Sequence, residues 1–269
     1  PSRPPDSDGR FRFVRSLVNL VRIDPGFSAE DLLLVKVNPR AAGLEGAART
    51  SFFERAEAAL AQIPGVRSAA LTQYQLLGGW MSGGSFFKLP ARPDLAEQKP
   101  QAHRLAVSEG FFATMGIPMR LGRGFGAGDA DGTPRVVVVN DAFVRSYLPR
   151  MDPVGQALRA DGAEWQIVGV CADAKYTSIK SDVPPTVYFS YRQTPLQEAY
   201  LALRTSVVPA SVALAARRAV AAIDPNVPVS EVTTQLAVRD GSIGQERTFA
   251  TLCASLAALA LLLACLGLY

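Results

Sequence analysis

The chain has 269 residues, enough for one large domain or two small ones around a hydrophobic core. Hydrophobic residues make up 48% of the sequence and charged residues 19%, which excludes an intrinsically disordered protein. The net charge is +4 and there is no long basic run, which argues against a nucleic-acid partner. The chain has one His and three Cys, too few for an imidazole-rich metal centre, a cysteine-based zinc site or a disulfide scaffold.

The beginning of the chain is polar and rich in proline. Residues 1–11 therefore predict a disordered segment. The run RFVRSLVNLVR at 12–22 places apolar side chains at helical spacing among arginines, which predicts an amphipathic helix that ends near Asp24. Because the chain begins with Pro1 and ends inside an apolar run, we expect both ends to have been cut from a longer polypeptide.

A strand, a helix and a second strand follow in order. The apolar run LLLVKV at 32–37 predicts the first strand, and 47–63 predicts a helix that Pro64 and Gly65 end. The run at 66–71 predicts the second strand, and the crossover is long enough to place the two strands in parallel. The apolar side of this helix consists of Phe52, Phe53, Ala56, Leu60 and Ile63.

A second unit of the same kind lies far downstream, with strands predicted at 200–204 and 227–232 around a helix at 209–223. The side chains expected to face inward on this helix are Val212, Ala216, Ala219, Val220 and Ile223. Two such units predict an α+β fold, in which a split βαβ lobe formed by 12–103 and 192–240 carries its helices on one face.

The intervening residues, 104–191, predict an inserted strand-rich lobe. The predicted strands have the sequences RLAVS, MRLGRGF, RVVVVN, WQIVGVC and TVYFSY. Four consecutive valines at 136–139 indicate a strand buried on both faces. Short helices are expected at 111–115 and at 141–148, the second with Asn140 as its N-cap.

The end of the chain predicts a membrane-spanning helix. Residues 248–269 contain no charge and eight Leu, and a helix of this length covers about 33 Å, the thickness of a bilayer core. We assign 241–269 to a linker and this transmembrane helix. Small residues four apart suit close helix packing in the membrane, although they also follow from a high Ala content; they are Ala254, Ala258, Ala260 and Ala264.

Signatures of catalysis and cofactor binding are weak. His103 is the single imidazole, no Gly-x-Ser-x-Gly surrounds a serine, and no phosphate-binding loop is present, so neither a catalytic triad nor ATP hydrolysis is expected in this chain. Gly122, Gly124 and Ala127 formally match the dinucleotide motif G-x-G-x-x-A, but no helix pattern follows, and a turn is expected. Cys171 is expected to be a buried, inert thiol, and Cys253 and Cys265 lie in the predicted span.

Two pairs of carboxylates are candidates for acid and base chemistry: Asp129 with Asp131, and Glu54 with Glu57. We expect both pairs to be solvated. A calcium loop around the first pair would place Val138 at its twelfth position, where a carboxylate is required, so no metal site is predicted.

One surface loop is a candidate partner contact. The sequence LGGWMSGGS at 77–85 places Trp80 and Met81 between two glycine pairs, where large apolar side chains on a pliable loop can contact protein, lipid or a hydrophobic substrate. The alternative is that Trp80 packs back onto its own domain.

Several segments together resemble one family, the MacB-like periplasmic core domain of FtsX-like ABC transporter permeases, and most closely the large orphan permeases in which this unit is duplicated. The resemblance extends from Arg15 to Tyr269. The segments are RSLVNLVRIDPGF at 15–27, ALAQIPGVRSAAL at 59–71, VSEGFFATMGIPMRLGRGF at 107–125, PRVVVVNDAFVRSYLPRMDPVGQ at 134–156, WQIVGVCAD at 165–173, AIDPNVPVSEV at 222–232 and the span that Arg247 initiates.

The resemblance implies an extracytoplasmic domain between two membrane helices in the bacterial inner membrane, with a porter-like lobe and an inserted lobe. It implies no cofactor and no catalysis, since a separate cytoplasmic ATPase moves the permease helices and the domain passes this motion to an envelope protein or a hydrophobic substrate. Gly241 and Gly244 become candidate hinges to the membrane, or simply a loop.

The chain departs from the family pattern at its start, where PSRPPDSDGRFRF at 1–13 stands in place of the first membrane helix. Two alternatives remain open: a membrane-anchored envelope hydrolase, and an adhesion or sensing module. A hydrolase predicts a deep pocket in which polar groups with shifted pKa values converge.

Overall fold

The computed structural model describes residues 24–79, 82–242 and Ser255. No helix among these residues has both the length and the apolar character needed to cross a bilayer. Several predictions concern residues outside this range and stay predictions: the disordered segment at 1–11, the helix at 12–22, the loop residues Trp80 and Met81, Gly244, the apolar span at 248–269 apart from Ser255, and its alanines Ala254, Ala258, Ala260 and Ala264.

The described residues form one mixed sheet with helices packed against it. Its strands are β1 Leu32–Val37, β2 Val66–Thr72, β3 Ser82–Phe86, β4 Gln101–Val107, β5 Met119–Gly122, β6 Val136–Asn140, β7 Ala157–Ala160, β8 Ala163–Cys171, β9 Thr186–Ser190, β10 Ala199–Thr205 and β11 Val229–Thr234. The α-helices are α1 Gly46–Ala61, α2 Phe111–Met115, α3 Asp141–Tyr147 and α4 Ala213–Ile223, with 3-10 turns at Pro39–Ala42, Pro93–Leu95 and Pro209–Val212. Residues 235–242 are also helical.

The two predicted strand-helix-strand units are confirmed, and they interleave. The strand order is β11-β1-β10-β2, and every neighbouring pair is antiparallel. Strands β1 and β2 are therefore parallel with β10 between them, and β10 and β11 are parallel with β1 between them. Each unit is split by a strand of the other, so neither can complete its sheet alone.

Helices α1 and α4 cover one face of this part of the sheet, as predicted. The buried side chains of the two helices are Phe52, Phe53, Ala56, Leu60, Ala216 and Val220. They pack against Leu33 and Val35 of β1 in a first hydrophobic core. Side chains alternate along a strand, so Leu32 and Leu34 point to the opposite face.

The opposite face is covered as well, so the expectation of helices on one face only was wrong. Leu32 and Leu34 are fully buried there in a second hydrophobic core. Helix α2 and the loops around it supply the cover, with Phe112 of α2 stacked edge-on against Tyr188 of β9 at 5.0 Å between ring centroids. A strand with a continuous apolar run buries both faces, and LLLVKV has such a run.

Residues 104–191 contain the five predicted strands, the first of which begins at Gln101, together with β7; strand β3 lies before them in the chain and pairs with β4. All residues of β6 are buried, and Asn140 caps α3 by accepting a hydrogen bond from the backbone of Phe143 at 3.0 Å, both as predicted. Sequence reasoning missed β3 and β7, because SGGSF and ALRA are poor in the β-branched residues that mark strands. Backbone hydrogen bonds between Lys88 and Arg159, of 2.9 and 2.8 Å, bring β3 and β7 together and curl the sheet toward closure.

The two parts of the sheet meet at a narrow joint. Within the described residues β2 and β4 pair through one position, Thr72 with Val107, whereas β1 and β10 pair through six. Ser108 lengthens the joint, because its backbone N–H donates to Leu71 at 2.9 Å. We propose that this joint separates two lobes, with the inserted lobe assigned to 104–191.

Candidate functional site

The described chain begins with residues 24–31, which belong to no helix or strand and which we call the incoming strap. Its Pro25 carbonyl accepts a hydrogen bond from the backbone of Lys175 at 2.8 Å. Gly26 has φ +79°, and a Cβ atom there would lie 2.1 Å from the carbonyl oxygen of Asp173. Only glycine fits this approach, so the strap is held close to the loop after β8.

One arginine fixes the rest of the strap. Arg204 of β10 donates to the carbonyl oxygens of Ser28 at 3.0 Å and Glu30 at 3.1 Å, and also to Thr114 of α2 at 2.6 Å. Burial lowers the pKa of Arg204, while the charges of Asp31 and Glu30 oppose this shift. A guanidinium with several fixed donors therefore joins the strap, β10 and α2 into one rigid unit.

The described chain leaves β11 through residues 235–242, which we call the outgoing helix. Thr234 caps it by accepting a hydrogen bond from Ala237 at 3.1 Å. The fully buried side chain of Gln235 donates to the carbonyl of Leu76 at 2.6 Å. Val238 packs on the second core. The helix thus lies on the face that the strap also covers.

The incoming strap and the outgoing helix lie side by side. Glu30 of the strap and Arg239 of the helix form an ion pair at 3.9 Å, at the outer limit for such a contact. The side chains are 70% and 21% exposed respectively. This pair contributes at most a fraction of a kcal/mol, so it marks proximity rather than strong attachment.

Two separate sequence predictions meet beside the outgoing helix. A cavity of about 550 Å³ is lined by Gly78 and Gly79, from the root of the Trp80 loop, and by Gly241 and Ser242 from the end of the helix. The candidate contact loop therefore starts next to the candidate hinge, a proximity that their separation in sequence concealed.

Gly241 lies inside the outgoing helix rather than in a turn. A Cβ atom added there would meet no atom within 4 Å. Neither a close contact nor a positive φ requires glycine at this position, so flexibility is the physical property that glycine adds. Its role as a hinge stays a prediction.

A second site lies in the joint between the two parts of the sheet, where a pocket of about 250 Å³ contains Glu54 and Glu57. Burial raises the pKa of Glu57 to about 7, with a hydrogen bond from Ser108 lowering it and the charge of Glu109 raising it. The expectation that Glu54 and Glu57 are both solvated was therefore wrong for Glu57. It failed because periodicity in sequence does not reveal which helix position the inserted lobe covers.

This pocket meets the expectation for a hydrolase only in part. The Ser108 hydroxyl donates to Glu57 at 2.7 Å and accepts from the backbone of Leu71 at 2.9 Å, so both its roles are structural. His103 lies on β4, paired in register with Thr186, and does not line the pocket. The arrangement can hold a proton near neutral pH, but it presents no activated nucleophile.

Other candidates for chemistry prove to be structural. Asp129 is 7% exposed and accepts hydrogen bonds from Arg123 at 2.6 and 2.9 Å and from Gly126 at 2.8 Å, so the expectation that it is solvated was wrong. No helix begins at 123–126, and the backbone of Asp129 donates to the carbonyl of Gly126 at 3.0 Å, which confirms a turn in place of a dinucleotide motif. Cys171 is buried, and burial raises the pKa of its thiol, as expected of an inert cysteine.

Sequence reasoning missed the two residues that hold the junction. Arg204 and Gln235 are polar residues at the ends of otherwise apolar or alternating runs. A charged residue on the inward face of an apolar strand predicts a structural role for its side chain, because a buried charged group requires partners. No comparable sequence pattern predicts that Gln235 lies beside Leu76.

Comparison with known proteins agrees with this architecture. The sequence matches the family described as MacB-like periplasmic core domain over residues 14–236. A crystal structure of the periplasmic region of MacB from Actinobacillus actinomycetemcomitans superposes with a TM-score of 0.53 and 11% identity, covering 84% of this chain and 97% of that one.

The extracellular domain of the noncanonic ABC-type transporter YknZ from Gram-positive bacteria superposes with a TM-score of 0.49 and 10% identity, covering 75% of this chain and 100% of that one. A search of curated proteins gives no match. The family match covers most of the chain and includes both interleaved units and the inserted strands, so the chain belongs to the MacB-like periplasmic core domain family.

Proposed function

We propose that this chain is the extracytoplasmic domain of an ABC-type permease in the bacterial inner membrane, and that it transmits motion of the membrane helices to an envelope protein or a hydrophobic substrate. The observation that carries the proposal is the junction, where the incoming strap and the outgoing helix lie side by side and are joined by Glu30 and Arg239. A domain attached to the membrane by two adjacent segments is moved whenever those segments move relative to each other.

The sequence that follows the outgoing helix supports membrane attachment. Residues 248–269 contain no charged side chain and have the length of a bilayer-spanning helix. In this proposal Gly241 and Gly244 are hinges between domain and span. The four alanines at 254, 258, 260 and 264 face other permease helices, and Trp80 and Met81 contact the partner or substrate.

The proposal assigns ATP hydrolysis to a separate subunit and no catalysis to this chain. The sequence has no phosphate-binding loop. Within the described part of the chain, the pocket at Glu57 is the observation that favours an enzyme, and its serine is committed to structural hydrogen bonds. An adhesion or sensing module would not require two adjacent attachments.

The test compares the full chain with a chain that ends at Gln245. The full chain is expected in the membrane fraction, and the shorter chain in the soluble fraction without detergent. Purified from its native membrane, the full-length protein should bring an ATPase subunit with it. Equal solubility of the two chains, or purification of the full-length protein without an ATPase, contradicts the proposal.

A further inference from the structure

A groove lies where the end of β3 meets the hairpin formed by β7 and β8. The chain that precedes β4 supplies its third wall. The groove shares no lining residue with the pocket at Glu57 or with the cavity beside the outgoing helix. Its volume of about 580 Å³ falls within the range of ligand pockets, about 300–1,000 Å³. It is therefore a separate candidate for ligand binding.

One wall of the groove is apolar. Phe86, the last residue of β3, lines it and is 58% exposed, whereas Phe87 is 5% exposed and packs against Phe143 at 5.1 Å between ring centroids. Successive strand residues point to opposite faces, so the inward position is filled and Phe86 belongs to the groove. Ala96 and Ala163 extend the same surface. An exposed aromatic ring in a groove favours contact with an apolar group.

Three cationic residues lie in a row across the groove. The backbones of Lys88 and Arg159 exchange hydrogen bonds of 2.9 and 2.8 Å, which places these two residues directly opposite each other. Phe86 pairs with Gln101, and the continuation of that register places Lys99 opposite Lys88 on its other side. Like charges that lie opposite each other on a sheet are destabilising. The row therefore lowers stability unless an anion joins it.

The carboxylates that line the groove already have partners. Glu164 forms an ion pair with Arg159 at 2.8 Å, and Asp161 forms one with Arg104, which lies outside the lining. Among the residues that the structure describes, neither lysine of the row has an ion pair. Two positive charges are thus left beside the apolar wall, and this combination is complementary to an anion that carries an apolar group.

The backbone of Lys99 gives a second and independent indication of function. Its φ is +47°, and the next residue is Pro100. A side chain disfavours the left-handed region, and a following proline favours extended backbone, so this conformation is strained. Such strain persists where the surrounding structure enforces it, and it is concentrated at functional sites. The backbone hydrogen bond from Phe87 to the carbonyl of Pro100, at 3.2 Å, keeps Lys99 at the groove.

We propose that the groove binds an anionic amphiphile that has one alkyl chain and a carboxylate head. The head accepts hydrogen bonds from the ammonium groups of Lys88 and Lys99, which relieves the repulsion within the row. The alkyl chain lies along the ring of Phe86 and the aliphatic parts of the two lysines. The proposal deepens the proposed function, on which its role in transport rests, by naming the chemical class of the hydrophobic substrate.

The test is isothermal titration calorimetry of the full chain in phosphatidylcholine nanodiscs, with the same nanodiscs without protein as the reference. The probe is octanoate. Its controls are octanol, which has the chain without the charge, and acetate, which has the charge without the chain. We expect heat above the reference from octanoate alone.

Variants of the groove are matched with variants of α4, which lies outside it. Phe86→Ser should weaken octanoate binding by about tenfold, and Lys88→Gln combined with Lys99→Gln by about thirtyfold. Leu214→Ser removes an apolar side chain that is 59% exposed, and Arg218→Gln removes an exposed cation. Each of these two controls should change binding by less than about twofold. Thermal unfolding of every variant without probe distinguishes lost binding from lost structure.

Three results would overturn the proposal: no heat from octanoate above the reference, equal binding of octanol, or equal losses in the groove variants and their controls. Lys88→Gln alone should raise the melting temperature, because it removes like-charge repulsion, and a fall would contradict the strained row. Membrane fractionation and purification with an ATPase test the proposed function without octanoate, so the failure of either proposal is distinguishable from the failure of the other.

Discussion

The two attachments of the domain are held by very different forces. The incoming strap is fixed by two hydrogen bonds from Arg204, which also donates to Thr114 of α2, and by a glycine that lets the strap approach Asp173. The outgoing helix is fixed by one hydrogen bond from Gln235, by the packing of Val238 and by an ion pair at 3.9 Å. The strap should therefore move with the domain, and the helix should be able to move relative to it.

This difference assigns distinct mechanical roles to the two ends. A segment fixed by charge-assisted hydrogen bonds transmits force to the domain without moving relative to it. A helix that docks through a few contacts can leave its groove at a cost of a few kcal/mol, comparable with what one nucleotide-driven step can supply. We infer that conformational change is absorbed at the outgoing helix.

The largest effect is expected from the strap. Arg204→Ala removes the donors of three carbonyl groups and should lower the free energy of unfolding by about 3 kcal/mol. Arg204→Lys should lose about half as much, because one ammonium cannot reach all three oxygens. Urea unfolding of the full chain in detergent measures both. A loss below about 1 kcal/mol for Arg204→Ala would contradict a rigid strap.

Glycine substitutions also test how firmly the strap is held against the domain. Gly26 and Gly43 share a φ of +79°, but a Cβ at Gly26 would lie 2.1 Å from Asp173, whereas one at Gly43 would meet nothing within 4 Å. Gly43→Ala should lower stability by about 1 kcal/mol through backbone strain alone. Gly26→Ala should lower it by about 2–3 kcal/mol, because the strap must also shift. Equal losses in thermal unfolding would mean that the strap does not press against Asp173.

A pH-dependent change in stability is expected at Glu57, which lies in the joint between the two parts of the sheet and not at either attachment. The pKa of Glu57 is raised from 4.5 to about 7, so its contribution to stability is fully present below about 4.5 and is lost as the pH rises through about 7. Glu57→Gln should therefore gain about 2 kcal/mol over the wild type at about pH 8 and nothing near about pH 4.5. Unfolding measurements on both proteins between these two pH values check this prediction. A pH dependence that survives in Glu57→Gln must come from other groups.

A smaller effect is expected at the outgoing helix. Gln235→Ala removes its buried hydrogen bond to Leu76 and should change global stability by about 1 kcal/mol. Amide hydrogen exchange within 235–242 should speed up by about tenfold, while exchange in β1 stays unchanged. If exchange increases equally in both places, the helix is part of the main cooperative unit and is not loosely docked.

The smallest effect on stability is expected from Gly241→Ala. The added methyl group meets open space and favours the helix by about 0.5–1 kcal/mol. A hinge should nevertheless lose flexibility, so ATP-driven activity of the assembled permease should fall while stability rises. Ala237→Gly, in the same helix, is the opposite control. Unchanged activity in Gly241→Ala would remove Gly241 from the list of hinges.

The long elements could be predicted from sequence, because their patterns are determined locally. Leu32–Val37 forms the predicted strand to the residue, and α1 begins and ends within two residues of its predicted bounds. Strand β3 was not predicted, because its glycines hide the alternation of side chains that marks a strand. The pairing of β10 between β1 and β2 links residues more than a hundred positions apart, and a pattern within one segment cannot specify it.

The sites were harder to predict than the fold. Gly241 was proposed from sequence, and the structure places it beside the root of the Trp80 loop. The surroundings of Arg204 and Gln235, and the partial burial of Glu57, depend on which backbone segments fold over these residues. Each is a polar group whose partner lies at least 51 positions away in sequence, as in the pair of Ser108 and Glu57.

The central claim is tested most directly by distance measurements in the full permease with its ATPase, with Cys253 and Cys265 replaced by Ala. Spin labels are placed on Asp240→Cys in the outgoing helix, an exposed position, and on Asp224→Cys after α4, a partly exposed position. A second pair, Asp24→Cys in the strap with Asp224→Cys, is the control. The account predicts that ATP changes the first distance by several ångströms and leaves the second unchanged. A first distance that stays constant while ATP is hydrolysed would contradict it.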